Sequence, residues 1–192
     1  SDEIEVMKKA GEITDRVYGK VVDGLERGQS EIDVANAIDY EFRKQGADYN
    51  SFVTGVRFRS PNHPWILGES PDKPRLLEDG DTISFDFGCV YDGYCSDFGR
   101  TVYVGEPPAK VQEIHDLVMT AQGTAIEQMK EGELTCEQLD SVARGIIERG
   151  GYGENFVHRL GHGIGLTVHE PPYLYIPDKT MLQEGMTFTV EP

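Results

Sequence analysis

Asp81-Thr-Ile-Ser-Phe-Asp86-Phe-Gly-Cys-Val-Tyr-Asp92-Gly93-Tyr-Cys-Ser-Asp97-Phe-Gly-Arg-Thr101 is the stretch that decides the fold. Ile83 and Phe85 alternate with Ser84 and Asp86, the period of a strand with one buried face, and Asp92-Gly93 is a hairpin turn signal. Two strands therefore fold back on each other. With the turn centred between Tyr91 and Asp92, Asp86 and Asp97 stand directly opposite, their Cβ atoms about 5 Å apart. Two carboxylates that close must share a proton or bind cations, because burying them unpaired costs on the order of several kcal/mol. A pair of metal ions answers that requirement.

A second stretch carries the complementary donors: His158-Arg-Leu-Gly-His162-Gly-Ile-Gly-Leu-Thr-Val-His169-Glu170-Pro171. Three of the five histidines fall here, and Gly161, Gly163 and Gly165 clear side chains from around His162 so that backbone or ligand can approach. Histidine nitrogen combined with aspartate oxygen suits Mn, Fe, Co or Zn better than calcium, which prefers an all-oxygen shell. Further on, Met186-Thr-Phe-Thr-Val-Glu191-Pro192 alternates apolar and polar residues up to a carboxylate at a strand end, where it can add an oxygen ligand.

Around these stretches the periodicity changes from two to three and four. Ile4, Met7, Ala10, Ile13, Val17, Val21 and Leu25 trace one helix. Gly28-Gln29-Ser30 breaks it and caps a second, Ile32 to Phe42, with Asp33 in a capping-box position. Asn50 to Phe58 reads as a strand, and Ser60 to Pro74, with four prolines, as an irregular loop long enough to suspect function. Val111 to Met129 and Thr135 to Arg149 form another helix pair. Aligning Gly28-Gln29-Ser30 with Glu133-Leu134-Thr135 repeats the plan at an offset of about 105 residues, the mark of an internal duplication. Short strands at Leu166 to His169 and Met186 to Val190 complete a sheet covered by four helices, an α+β arrangement.

Composition narrows the partners. A net charge of −16, from 34 acidic against 18 basic residues, repels nucleic acid and anionic membranes. No apolar run approaches the roughly 18 residues of a spanning helix, and Ser1-Asp2-Glu3 has no signal-peptide character. Cys89, Cys95 and Cys136 form an odd set without metal-site spacing, as expected of reduced thiols in the cytoplasm.

With these residues in view, the sequence resembles the pita-bread metallopeptidases, the family of methionine aminopeptidase, aminopeptidase P, prolidase and creatinase, over nearly its whole length. The family pattern has an Asp on one strand, a second Asp eleven residues later before Arg-Thr, a Gly-His-Gly histidine and a Glu before Pro; Asp86, Asp97, His162 and Glu191 stand at those places. The resemblance implies the pita-bread fold, pseudo-twofold duplicated helix pairs covering a curved antiparallel sheet. It implies a catalytic domain over residues 1–192 that lacks its C-terminal end, with a fifth metal ligand, a Glu, and any N-terminal creatinase-like domain lying elsewhere.

It implies two divalent ions, manganese foremost with Co, Zn or Fe as alternatives. Asp97 bridges them, Asp86 gives one of them two oxygens, and His162 and Glu191 hold the other. A hydroxide between the metals attacks the scissile carbonyl, Glu191 takes the proton, His169 donates to the substrate carbonyl and His158 orients substrate or intermediate. A histidine four residues before the ligand histidine, with the run Gly93 to Thr101, is similar to aminopeptidase P and prolidase, which points to hydrolysis of Xaa-Pro bonds in peptides or dipeptides. The upstream catalytic histidine of the family, about 17 residues before the first Asp, falls on Glu69; an insertion would make His63 its counterpart, as proton shuttle or substrate clamp. A peptide substrate and pairing into homodimers are the expected partners. The competing readings are a methionine aminopeptidase, a creatinase-like enzyme and an inactive domain that binds peptides.

Overall fold

A computed structural model describes residues 2–63 and 75–192. It divides into two compact units, Ser1–Pro107 and Pro108–Pro192. In the first, α1 (Asp2–Asp23) buries Ala10, Ile13, Val17 and Val21, and α2 (Glu31–Lys44) buries Val34, Ile38 and Phe42, each at steps of three and four. The expected capping box closes the start of α2: the Ser30 hydroxyl accepts from the Asp33 N–H at 3.1 Å, and the Asp33 carboxylate accepts from the Ser30 N–H at 2.8 Å.

Against these helices lie two three-stranded antiparallel sheets. One has the order β2 (Gly55–Arg59), β3 (Thr82–Phe87), β6 (Phe98–Tyr103); the other has the order β1 (Tyr49–Asn50), β4 (Cys89–Tyr91), β5 (Tyr94–Cys95). Strands β3 to β6 form one long hairpin interrupted at Gly88. There a Cβ would lie 2.0 Å from the Ser96 carbonyl oxygen and 2.5 Å from the Ser51 hydroxyl, so only glycine fits. Ile83, Phe85 and Phe87 turn inward with Val56 and Phe58 to join the helix side chains in a single core, while Thr82, Ser84 and Asp86 point away from it.

In the second unit, α3 (Ala109–Gln128) and α4 (Cys136–Arg149) enclose a separate core of Ala121, Ala125, Leu139, Ala143, Ile147, Leu160 and Leu174. Thr135 and Gln138 repeat the capping box. Strands β7 (Gly161–Gly163) and β8 (Glu170–Leu174) pair antiparallel.

The duplication extends to individual hydrogen bonds. Bridges Ser30 to Leu76 and Thr135 to Met181 recur 105 residues apart. So do the bonds from Leu77 N–H to the Gln29 carbonyl and from Leu182 N–H to the Leu134 carbonyl, and those from Glu31 N–H to Arg75 and from Cys136 N–H to Thr180. Phe58 pairs with Ile83, and Gly163 with Phe188 at the same offset. Gly163 therefore stands where Phe58 stands, and by the same offset Glu191 stands where Asp86 does.

Two sequence expectations need correction. Leu166 to His169 is a series of bends, and the strand begins at Glu170. Local bonds capture the segment, with Gly165 N–H to the Thr167 carbonyl and the Thr167 hydroxyl to the His169 carbonyl and the Glu170 carboxylate. Met186 to Val190 runs extended beside β7 but makes one isolated bridge instead of a full strand. Among the described residues the strands pair antiparallel throughout, in three small sheets. Of the loop expected from Ser60 to Pro74, residues 64–74, including Glu69, lie outside the described residues.

Candidate functional site

The hairpin fixes Asp86 and Asp97. Asp92 (φ 48°) and Gly93 (φ 83°) are its two central residues, both left-handed as a type I′ turn requires, and Tyr91 pairs with Tyr94. The turn is thus centred one position later than the sequence reading placed it. Asp86 faces Gly99, and Asp97 does not lie opposite Asp86. Since Asp97 is two residues before Gly99, strand alternation returns it to the side of the hairpin that Asp86 occupies, as a diagonal neighbour with Cβ atoms about 7 Å away. The diagonal spacing leaves room between the carboxylates for a cation that both can reach.

Ser96 anchors the approach to Asp97. Its hydroxyl accepts from the Cys89 N–H at 2.9 Å and pairs with the Thr14 hydroxyl at 2.7 Å, while its carbonyl accepts from the Ser51 hydroxyl at 2.8 Å. Thr14 is fully buried on α1 and gives its own hydroxyl proton to the Ala10 carbonyl. Sequence reading missed this network. A polar Thr14 on the apolar stripe of α1 was its one visible signal.

In the second unit, His162 is 2% exposed. Its Nδ1 lies 3.0 Å from the Gly163 carbonyl and its Nε2 lies 3.1 Å from Glu191 Oε1. A proton on Nδ1, donated to that carbonyl, directs the Nε2 lone pair outward, the arrangement that prepares a histidine for a metal. A nitrogen lone pair and a carboxylate at this separation require a positive charge, which a proton or a divalent ion can supply. This donor set fits the implied metal.

Burial pushes the half-exposed Glu191 carboxyl up, but the hydrogen bonds from His162 and Thr189, with the His162 and His158 charges, hold it below its ordinary value. Thr189, another residue the sequence did not single out, joins the pair: its hydroxyl accepts from the His162 N–H at 3.1 Å and donates to Glu191 at 2.7 Å. That bond takes the place of the ladder bond His162 would otherwise make, which is why this strand is irregular.

Gly161 and Gly163 have the expected role, close approach of a second backbone. A Cβ on Gly161 would lie 1.9 Å from the Thr189 carbonyl oxygen, and one on Gly163 2.5 Å from that of Glu170. His169 is exposed, and its ring lies edge-on to His162 with centroids 4.2 Å apart. His158, also exposed, stands at the edge of Phe156 with Nδ1 on the Arg159 carbonyl at 2.8 Å. In the first unit, the exposed His63 closes a tight bridge with Ser60.

Residues 5–192 match the model of metallopeptidase family M24. The chain belongs to that family. Among its M24 relatives, the Xaa-Pro dipeptidase of Pyrococcus furiosus is 39% identical over 191 residues, taking in 100% of this chain and 54% of that protein. Among solved M24 structures, the X-Pro aminopeptidase of Thermotoga maritima matches with a TM-score of 0.89 and 42% identity, over 100% of this chain and 53% of its own. A prolidase from Thermococcus sibiricus matches with a TM-score of 0.91 and 43% identity, over 100% and 51%. The chain spans about half the length of the relatives it matches. The pita-bread architecture of this family is the α+β arrangement expected from the sequence.

Proposed function

We propose that the protein is a metal-dependent exopeptidase that hydrolyses the Xaa-Pro bond at the N-terminus of peptides or in dipeptides, and that residues 1–192 belong to its catalytic domain. The observation that carries this reading is the buried His162, oriented through Nδ1 and aimed by Nε2 at Glu191, in a chain of family M24. Relatives named Xaa-Pro dipeptidase support the substrate class.

Asp86, Asp97, His162 and Glu191 would hold two divalent ions, manganese foremost. When bound, such ions polarise a carbonyl and bring the pKa of water towards neutrality. The residues do the rest. Glu191, kept ionised by its partners, takes a proton from the attacking water; His169 donates to the substrate carbonyl oxygen; and His158 orients the substrate. His63 serves as a shuttle or clamp at the substrate's edge. Three buried cysteines, an odd set without metal-site spacing, support a reducing, cytoplasmic setting, and pairing into homodimers belongs to the same reading. Among the described residues, no helix is long and apolar enough to cross a membrane.

The test is metal analysis and peptide hydrolysis with the complete protein and its Asp97→Ala variant, supplied with Mn, Co or Zn. About two ions bound, cleavage of Ala-Pro peptides over Met-Ala, and loss of both properties in Asp97→Ala are the expected results. Preference for Met-Ala would make it a methionine aminopeptidase, and a complete protein that takes up no metal would be a peptide-binding domain.

A further inference from the structure

The second core holds a charge that packing alone does not explain. Asp140, on the buried side of α4 beside Leu139 and Ala143, is 0% exposed. Its carboxylate accepts from Arg144 Nε at 2.8 Å and Nη2 at 3.0 Å, and at 2.9 Å from the Leu160 N–H, which it shares with the Leu174 carbonyl. The same guanidinium reaches the other way: Nη1 donates to the Phe156 carbonyl at 2.7 Å, Nη2 donates to the His158 carbonyl at 2.8 Å, and the plane lies over the Phe156 ring at 4.1 Å. One ion pair thus grips residues 156, 158 and 160, every second residue of the segment that leads into β7. The His158 ring takes its orientation from that segment, edge-on to Phe156 and with Nδ1 on the Arg159 carbonyl. Nε2 is thereby left as the nitrogen that the exposed ring presents outward.

The duplication separates a role in folding from a role in function. At the offset of 105 residues, Asp140 and Arg144 correspond to Ala35 and Asp39, and His158 corresponds to Val53. The first unit builds the same helix, cap and strand register with no ion pair at these positions. Its Asp39 instead binds the side chains of Asn50 and Thr54. The repeated fold therefore does not require the pair, which occurs in the copy that carries the histidine.

We propose that Asp140 and Arg144 are positioning residues for His158, holding the 156–160 segment in the conformation that presents its imidazole to the substrate. This rests on the orienting role given to His158 in the proposed function. Arginine is needed because its planar fork meets a carboxylate and two carbonyls at once; lysine is a point donor that cannot span them.

The test is a double-mutant cycle in the complete, metal-loaded protein, with R144K, H158A and the two combined, accompanied by amide exchange of the metal-free protein. R144K should lower kcat/KM for an Ala-Pro peptide by roughly 10- to 100-fold, the range expected of a misplaced group, with metal content unchanged. H158A should lower it as well, and adding R144K to H158A should cost nothing more. The amides of residues 157–160 should as a group exchange faster in R144K while the amides of α4 keep their rates. D140N, which retains the shape of the buried carboxylate, should reproduce R144K and serves where R144K does not fold. Losses that multiply in the double variant overturn the inference, as does an R144K enzyme with wild-type kinetics. H158A with full activity removes the role of His158 and the inference with it, while Xaa-Pro hydrolysis stands. Should no Xaa-Pro peptide be cut by the wild type, the proposed function fails on its own account, and unaltered exchange throughout residues 157–160 in R144K overturns the clamp independently.

Discussion

Thr189 joins the two donors of the second unit through one hydroxyl, and its removal is the most informative single-atom change available. Thr189→Val keeps the shape but removes the hydroxyl that accepts from the His162 N–H and donates to Glu191, at a cost of about 1–3 kcal/mol, and frees Glu191 to turn. Urea unfolding should show that loss, and a manganese titration of the complete protein should show affinity about 10- to 100-fold weaker; Thr189→Ser should restore most of both. Cys136 gives a prediction in pH. Burial, then Asp178, pushes its thiol from 9.0 up to about 11. Between those values the unfolded chain releases a proton that the folded chain keeps, so stability is full below pH 9.0 and falls as pH rises towards about 11. Melting curves of Cys136→Ala across that window should fall less steeply than wild type. Residue types were legible in the sequence where chemistry restricts the choice, as at Gly161, where a second backbone passes. Thr189 was not legible, because its role depends on a register set across 27 residues.

The elements follow local rules closely enough that their ends can be tested one at a time. Ser30 and Thr135 cap equivalent helices with equivalent boxes. Ser30→Ala and Thr135→Ala should each cost about 1 kcal/mol, and the double variant should show the sum, since the two caps share no partner. Denaturant midpoints would check this; a marked shortfall from additivity would mean that the caps are coupled. At the hairpin, Gly93→Ala places a side chain in left-handed backbone at a cost of about 1–2 kcal/mol. Helix positions were readable to within two or three residues, because each rests on its own periodicity and cap. The hairpin register was not, because an Asp-Gly pair announces a turn without saying which peptide is its centre, and one position moved Asp97 from opposite Asp86 to its diagonal. The bends at Leu166 to His169 escaped for a related reason: an apolar alternation cannot reveal that Thr167 and Glu170 will bind each other.

At the scale of the molecule, the duplication places a carboxylate at one strand position in each repeat, Asp86 in the first and Glu191 in the second. If both serve bound metal, divalent ions should stabilise the folded chain, because they offset carboxylate charge in a chain of net charge −16. A ligand that binds only the folded state stabilises by about 2.7 kcal/mol when supplied at roughly 100 times its Kd. Manganese added to the metal-free complete protein should therefore raise Tm, and a chelator should reverse the rise. Asp86→Ala and Glu191→Ala should each shrink this metal-dependent rise, and Glu191→Ala should also lower the metal-free Tm, since it removes the partner of Thr189 and His162. Scanning calorimetry with and without manganese separates the effects: a Tm indifferent to chelation, or carboxylate variants that keep the full metal-dependent rise, would show that the two residues do not hold the ions.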